Sequence, residues 1–529
     1  MKFTIATNAS LVDVDATVCH GKFFATFDNR VKTKIENDTL TFWFGASWPI
    51  ELPDVTENTI VDQSGSWFFG VITPTKVSVY TDLCADYPVY YANVENDIVV
   101  TNVFNNFTNT MFPINNQWVA DALGKHHYID QYLPKVNINI VNVNYEFYNT
   151  STALDNVHRM PHCGKLTFED TLEVSQYYDR VQAFKDALVL PEIDDINSFT
   201  RTKINQNIKH IINQQSGKIG VLSSTGVDSL TIVDALLSQQ QNFKVAAYGF
   251  TTDSILGEWA DNAHQLLAYL NSVGIESDFD EIKPEEFYSR FQPDTWTIPS
   301  KFDDLYQDAN ATKTLLNDCG YLIKGTNGDE CFLHAQRYAM IYLAASLKIS
   351  FTGAIEICKK HYSYQGSHAY VVEPEYQVML EHNLFDTIID TWALKPQTYL
   401  SDDRVFTNKP TFSPYCDREL STITARMNAR DLAASILDAG PQQAMLDKTA
   451  KFLNRYKSGE QYIKDHEFEL TEFAVTQLQF LEQYIQNNHL EELLCNILLA
   501  IRGVSVGDFE PYDFLLYVQM ATWLQTRHE

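Results

Sequence analysis

The sequence predicts an α/β chain: a β-rich N-terminal region, then a parallel sheet covered by helices on both faces, then a helical C-terminal extension. Three observations lead there. Short aromatic runs, partly alternating and separated by Asn, Asp, Gly and Pro, fill residues 1–165. Over residues 176–465, short apolar runs alternate with stretches of helical spacing, the pattern of buried parallel strands joined by helices. Residues 466–529 carry amphipathic helical segments.

In order, strands are predicted around residues 3–6, 23–27, 40–44, 66–72, 76–80, 89–92 and 98–101, where aromatic and β-branched residues cluster. Helical spacing is read over 166–190 and 197–215. A short apolar run at 218–223 reads as a buried strand, and a helix follows over 229–240. Another strand is expected at 244–250, a helix at 259–273 and a strand at 320–325. Beyond 330 the pattern is mainly helical, with clear amphipathic segments at 473–485 and 490–501.

The chain has 529 residues, 45% of them hydrophobic, enough for two or three domains with large cores. Its formal net charge is −29, from 68 acids against 39 bases. Such a surface repels phosphate backbones and anionic lipid, so no nucleic-acid or membrane partner is expected. The eight cysteines are scattered, with no C-x-x-C pair and no zinc spacing, which reads as reduced, mostly buried thiols in a cytoplasmic protein. No leader and no membrane span is expected, since the start lacks a long apolar run and no stretch of about 18 apolar residues occurs.

Two turns carry the chemistry. Ser224-Thr225-Gly226-Val227-Asp228-Ser229 follows a predicted strand and precedes a helix. A helix start presents backbone N–H groups and the positive end of the helix dipole, which favour an anion. Ser224 and Ser229 can donate to phosphate oxygens, and Gly226 permits close backbone approach. Asp228 suits a phosphate only with a cation between them, so a Mg²⁺ ligand is its natural role. The same hexapeptide also fits an ordinary helix start capped by Ser or Asp. It is not a Walker A loop, because no G-K-[ST] follows. The second turn, Gly325-Thr326-Asn327-Gly328-Asp329-Glu330, again leaves a strand end with Gly and carboxylates; a plain Asn/Gly/Asp turn fits it as well.

Together the two turns resemble the S-G-G-x-D-S pyrophosphate loop and the later G-x-G-x-D-E loop of the asparagine synthetase family. Asp329 stands 101 residues after Asp228. Glu258, Ala260 and Ala263 resemble that family's E-x-x-x-A helix start. The run from Ser413 to Leu420 is similar to its R-x-P-F-L-D segment, and Arg455-Tyr456-Lys457 to its R-x-K. Gly65 to Gly70, Thr81-Asp82 and Pro88 to Tyr91 look like the pattern of its glutaminase domain.

The resemblance implies an N-terminal-nucleophile-like sandwich domain, then a parallel-sheet ATP-pyrophosphatase domain of the adenine nucleotide α-hydrolase-like kind. It implies an AMP- and pyrophosphate-forming synthetase that adenylates a carboxylate and passes it to ammonia or an amine. ATP and Mg²⁺ are the cofactors it implies. Asp228 and Asp329 would hold Mg²⁺. Ser224, Thr225, Gly226, Val227 and Ser229, with Leu222 at the strand end, would bind the nucleotide's phosphates; the Thr225 hydroxyl could face phosphate in place of the family's Gly. Lys324 and Gly325 would lie near the α-phosphate and ribose, and Lys457 would meet phosphate and developing acyl charge. For Lys457 a solvated side chain beside Arg455 and Glu460 stays equally open.

Two departures matter. The glutaminase needs a Cys immediately after the initiator Met; this chain has Lys2, and its first cysteine is Cys19. Loss of glutamine hydrolysis is therefore expected. Thr326 stands where the family often has Glu or Tyr, and it is a poor base. Asparagine, a small metabolite, a peptide or a modified nucleobase stays open as the product, a homodimer as the assembly, and a non-catalytic ATP-binding scaffold as the alternative role. A thiolating relative would want a reactive Cys pair or a Cys₄ zinc site, and neither spacing occurs.

Overall fold

The computed structural model describes residues 2–8, 17–94, 97–107, 112–120, 123, 152–250, 257–282, 315–333, 343, 350, 353, 409–453, 470–503 and 511–528. The mixed α/β architecture holds antiparallel sheets, a parallel five-stranded sheet, and helices.

The first strands are β1 (Phe3–Ala6), β2 (Thr17–His20), β3 (Phe23–Phe27), β4 (Lys32–Glu36), β5 (Thr39–Trp48), β6 (Ser64–Ile72), β7 (Val77–Thr81), β8 (Tyr90–Val94), β9 (Asp97–Thr101), β10 (Val157–Arg159), β11 (Gly164–Phe168) and β12 (Leu172–Gln176). They form two six-stranded sheets, ordered β10-β8-β9-β1-β3-β2 and β12-β11-β7-β6-β5-β4. Strand period two decides what each face meets. Phe3 and Ile5 point into a shared core with Phe42, Phe44, Phe68 and Val79 of the other sheet. Ala6, Tyr90, Ala92 and Val99 point the opposite way. On the other sheet, Trp67, Phe69 and Val71 face outward under a cover of Leu52, Val55 and Ile60. That cover is why β6 is buried along its whole length.

The helix read over 166–190 begins only at Arg180. Residues 164–176 are a hairpin, β11 with β12, in which Leu166 opposes Val174 and Phe168 opposes Leu172. These apolar residues recur at intervals that satisfy both periods, and the Glu169-Asp170 turn decides for strands. The following helix α1 (Arg180–Ala187) is capped by Asp179, which accepts from Gln182 N.

After α2 (Ile196–Gln214) come β13 (Ile219–Ser223), α3 (Val227–Ser238), β14 (Phe243–Phe250), α4 (Gly257–Ser272), β15 (Glu276–Ile282), β16 (Tyr321–Ile323), the short α5 (Gly328–Phe332) and β17 (Thr411–Phe412). The strands are all parallel, in the order β15-β14-β13-β16-β17. Val221, Val245, Ile323 and Phe412 join the main core, and Leu222, Ala246 and Leu322 pack on the other face against Leu316 and Cys319. Both faces are thus covered, as near-continuous apolar strands require. β15, with four acids in seven residues, gave no apolar signal to read.

The chain continues with α6 (Ala429–Asp438) and α7 (Gly440–Met445). The last helices, α8 (Glu472–Asn487), α9 (Cys495–Ile501) and α10 (Pro511–His528), return to the first sheet. Leu478, Leu481, Ile485 and Tyr517 cover its outward residues Ala6, Tyr90, Ala92 and Val99. No described helix is long and apolar enough to cross a membrane.

At the amino ends of the parallel strands, Lys244 lies 2.9 Å from Glu276 and 3.0 Å from Asp278, and Lys218 lies 3.0 Å from Asp318 and also contacts Glu276. The Lys218 ammonium, then that of Lys244, holds Glu276 below its ordinary 4.5, and Lys218 holds Asp318 below 3.8. Depressed carboxylates bind fewer protons folded than unfolded, so their contribution is present above these ordinary values and lost as pH falls through the folded ones. Melting temperature should therefore decline below about pH 4.5. Glu276→Gln should flatten that decline in melts recorded across the acid range.

Candidate functional site

The strand order reverses direction between β13 and β16. The chain leaves β13 toward β14 and β15, and returns to place β16 and β17 on the other side. In open α/β sheets, ligands bind outside the carboxyl ends of two such neighbours, at the switch point of the strand order. The two turns singled out in the sequence are the loops that leave β13 and β16.

The first loop is not an ordinary capped helix start. The N-cap of α3 is Gly226, extended at φ −71°, with no side-chain hydrogen bond to the first turn. The N–H groups of residues 227–229 have no intrahelical acceptor. Ser224, Gly226 and Asp228 are half-buried, whereas Thr225, Val227 and Ser229 are buried. Thr225 has a left-handed backbone, φ +58°, disfavoured for a β-branched residue. Its hydroxyl donates to the Ser224 carbonyl at 2.6 Å and the side chain is fully buried, so it does not point out toward a phosphate as expected. The Ser229 hydroxyl donates to Gly226 O at 3.0 Å. Ser224 Oγ accepts from Gly226 N at 3.4 Å, so the hydroxyls of this loop bond within it. Leu222 is a core residue of the far face of the sheet.

The second loop presses directly on Asp228. A methyl group placed on Gly328 would lie 2.2 Å from Asp228 Cγ, and one on Gly325 would lie 2.8 Å from Asp228 Cβ. Between them Asn327 is left-handed, φ +74°, and buried. Thr326 and Asp329 are half-buried, and Lys324 is buried. Lys457, with Arg455 and Glu460, lies outside the described residues.

Two residues reach this place from far along the chain. Gln442, buried on α7, donates from Nε2 to Asp228 Oδ1 at 2.9 Å. Tyr415 points its hydroxyl at the Asp228 carbonyl, 3.5 Å away. Burial first, then the Asp228 charge, keeps that phenol protonated, well above its ordinary range. Asp234, one helical face along α3, accepts from Asp447 N at 2.7 Å and from Thr449 Oγ1 at 2.8 Å, which ties the segment after α7 to the same helix. Nothing in the stretch Gly440-Pro441-Gln442-Gln443 marks Gln442 as special; only the fold brings it to Asp228. Tyr415 sits in the 413–420 segment that sequence did single out.

The donor set fits a hard cation. Asp228 and Asp329 supply carboxylates, and the amide oxygens of Gln442 and Asn327 are buried without a hydrogen-bond partner. Among the described residues no three His, Cys, Asp or Glu side chains converge on one point. No disulfide joins the described cysteines, and Cys84, Cys163 and Cys416 meet in one buried cluster that their spacing did not reveal.

No known family and no curated protein matches the chain. Among solved structures it is similar to a U34-tRNA thiolase, NcsA, from Methanococcus maripaludis: 14% identity over 35% of this chain and 79% of that one, TM-score 0.20. It is similar to an allosteric regulatory enzyme of purine biosynthesis at 9% identity, over 53% and 74% of the two chains, TM-score 0.19. A third likeness is to glutamine phosphoribosylpyrophosphate amidotransferase from B. subtilis, complexed with ADP and GMP: 10% identity over 63% and 71%, TM-score 0.18. Likenesses this faint transfer neither fold nor chemistry.

Proposed function

We propose that the loops beyond β13 and β16 bind ATP and that the protein joins a carboxylate to ammonia or a substrate amine. A carboxylate oxygen attacks the α-phosphorus, and the bond to pyrophosphate breaks. The amine then attacks the acyl carbon, the bond to AMP breaks, and the nitrogen loses a proton. The observation that carries this reading is the meeting of an uncapped helix start, Asp228 and a second glycine turn at the sheet's switch point. The backbone N–H groups at the start of α3 cradle the pyrophosphate, Lys324 and Gly325 lie toward the α-phosphate, and Lys457 is assigned to the acyl charge by the sequence pattern alone. Asp228 and Asp329 would hold Mg²⁺, whose charge stabilises the departing pyrophosphate. Thr326 is no base, so a substrate amine must lose its proton elsewhere.

β1 carries no cysteine, and Cys19 is exposed on the edge strand β2. Free ammonia or an amine on the substrate is therefore the proposed nitrogen source. The test is pyrophosphate release from ATP and Mg²⁺ against a panel of amino acids and small carboxylates, with ammonium or glutamine. Acid-stimulated release supported by ammonium and not by glutamine bears the reading out. A protein that does not bind ATP with Mg²⁺ overturns it and leaves a scaffold role.

Gln442→Leu keeps the size of the side chain and removes its donor. Groups that orient a metal-holding carboxylate typically contribute about 10–100-fold to metal affinity. The half-saturating Mg²⁺ concentration for ATP binding should rise by about tenfold. An unchanged Mg²⁺ titration would show that Gln442 only packs.

A further inference from the structure

We propose that the N-terminal sandwich positions the second loop of the ATP site through residues 411–418, with Cys416 as the positioning residue at the centre of the linkage. What the loop does rests on the ATP reading; what holds it does not.

The sandwich grips this segment at successive residues. The Tyr87 hydroxyl donates to Thr411 O at 2.7 Å and accepts from Thr411 N at 3.1 Å. Gly65 N donates to Cys416 O at 2.8 Å, and Trp48 Nε1 donates to Asp417 Oδ2 at 2.9 Å. Ser64 Oγ accepts from Arg418 N at 3.2 Å. On its other side the segment holds the loop. Ser413 Oγ donates to the Thr326 carbonyl, and Asn327 Nδ2 donates to Cys416 Sγ at 3.4 Å. Cys416 Sγ in turn donates to Asp86 Oδ2 at 3.1 Å, where Ser66 Oγ also donates.

The result is a one-way chain of donors, from Asn327 through Cys416 to a carboxylate of the sandwich. Each donor polarises the next. Asp86 is held in turn, because the Asp82 carboxylate accepts from Cys84 N at 2.7 Å and Asp86 N at 3.1 Å. The thiol keeps the proton it donates: burial, the Cys84 hydrogen bond and the Asp86 charge all raise it well above the ordinary thiol range. The link acts where the loop needs it. Asn327 is left-handed and buried, a conformation that relaxes unless its surroundings enforce it. Gly328, which presses on Asp228, is the next residue.

Cys416→Ser keeps an acceptor for Asn327 and a donor for Asp86; Cys416→Ala removes both. In the full chain without ligand, amide exchange in residues 326–333 should quicken by about tenfold in Cys416→Ala, the scale of one lost hydrogen bond to a charged group. It should stay within about twofold of the parent in Cys416→Ser. Exchange in β13 and β9 should be unchanged in both, which separates loop release from loss of fold. Equal exchange in Ala and parent, or equal quickening in Ala and Ser, overturns the proposal. Should Cys416→Ala not fold, Tyr87→Phe removes the two bonds to Thr411 and must quicken the same loop. Mg²⁺-ATP affinity, read on the same proteins, should weaken about tenfold in Cys416→Ala alone. A parent that binds no ATP but shows this exchange pattern sinks the ATP reading and keeps the positioning one.

Discussion

Under the ATP reading, Asp228→Asn should abolish pyrophosphate release while leaving the fold intact. The substituted amide keeps an oxygen that accepts from Gln442 Nε2, so the contact to α7 survives. The negative charge does not. Loss of one preorganised charge contact at a site of developing charge lowers turnover by on the order of a thousandfold. Melting temperature should stay within about 3 °C of the parent. The two readouts together make the prediction sharp. A fall in both marks Asp228 as structural; normal release with normal melting removes it from the site. Asp228→Ala is less informative, because it also leaves the buried Gln442 amide without its acceptor.

The glycines of the second loop should separate activity from stability. Neither Gly325 nor Gly328 is left-handed, so alanine costs nothing in backbone conformation there. At Gly328 the added methyl would sit 2.2–2.4 Å from Cγ and both oxygens of Asp228. The Asp228 side chain must swing away, and it loses Gln442 as it goes. Gly328→Ala should cost more than about a hundredfold in activity, approaching Asp228→Asn. Its stability should fall by only about 1 kcal/mol. At Gly325 the methyl meets Asp228 C and Ser229 N at 2.9 Å. Here the backbone at the start of α3 must move, and overpacking of that kind costs about 1–3 kcal/mol. Gly325→Ala should thus lose both activity and melting temperature. Wild-type activity in Gly328→Ala would mean that the carboxylate of Asp228 is not used where it stands.

The sequence made the loops legible because each is a glycine-rich turn with an acid, placed directly after a buried apolar run. That pattern is local, and local chemistry is what sequence displays. The sandwich strands were legible for the same reason: Phe42 and Phe44 alternate with Thr41 and Trp43. What stayed hidden is long-range. Gln442 meets Asp228 from 214 residues away. Tyr87 meets Thr411 across 324. The order of the parallel strands, which brings the two loops together, follows from no single strand. β15 escaped because its charges pair with Lys244 at a sheet edge instead of burying apolar surface. The Thr225 hydroxyl misled in a different way. A hydroxyl in a phosphate-loop position suggests a phosphate contact, but a left-handed backbone turned it onto its own chain.

The hydroxyl of Tyr87 takes both outward-facing backbone groups of Thr411, so among the described residues the parallel sheet ends at β17 against the sandwich, not against water. A two-residue edge covered in this way offers no template to another chain. Among the described residues the far border is β15, whose Glu276 and Asp278 are held by Lys218 and Lys244 in place of apolar surface. Resistance to aggregation is thereby written into both borders of the sheet. It also has a weak side: wherever heat or denaturant parts the sandwich from β17 before the sheet melts, a strand edge able to pair with another chain is uncovered.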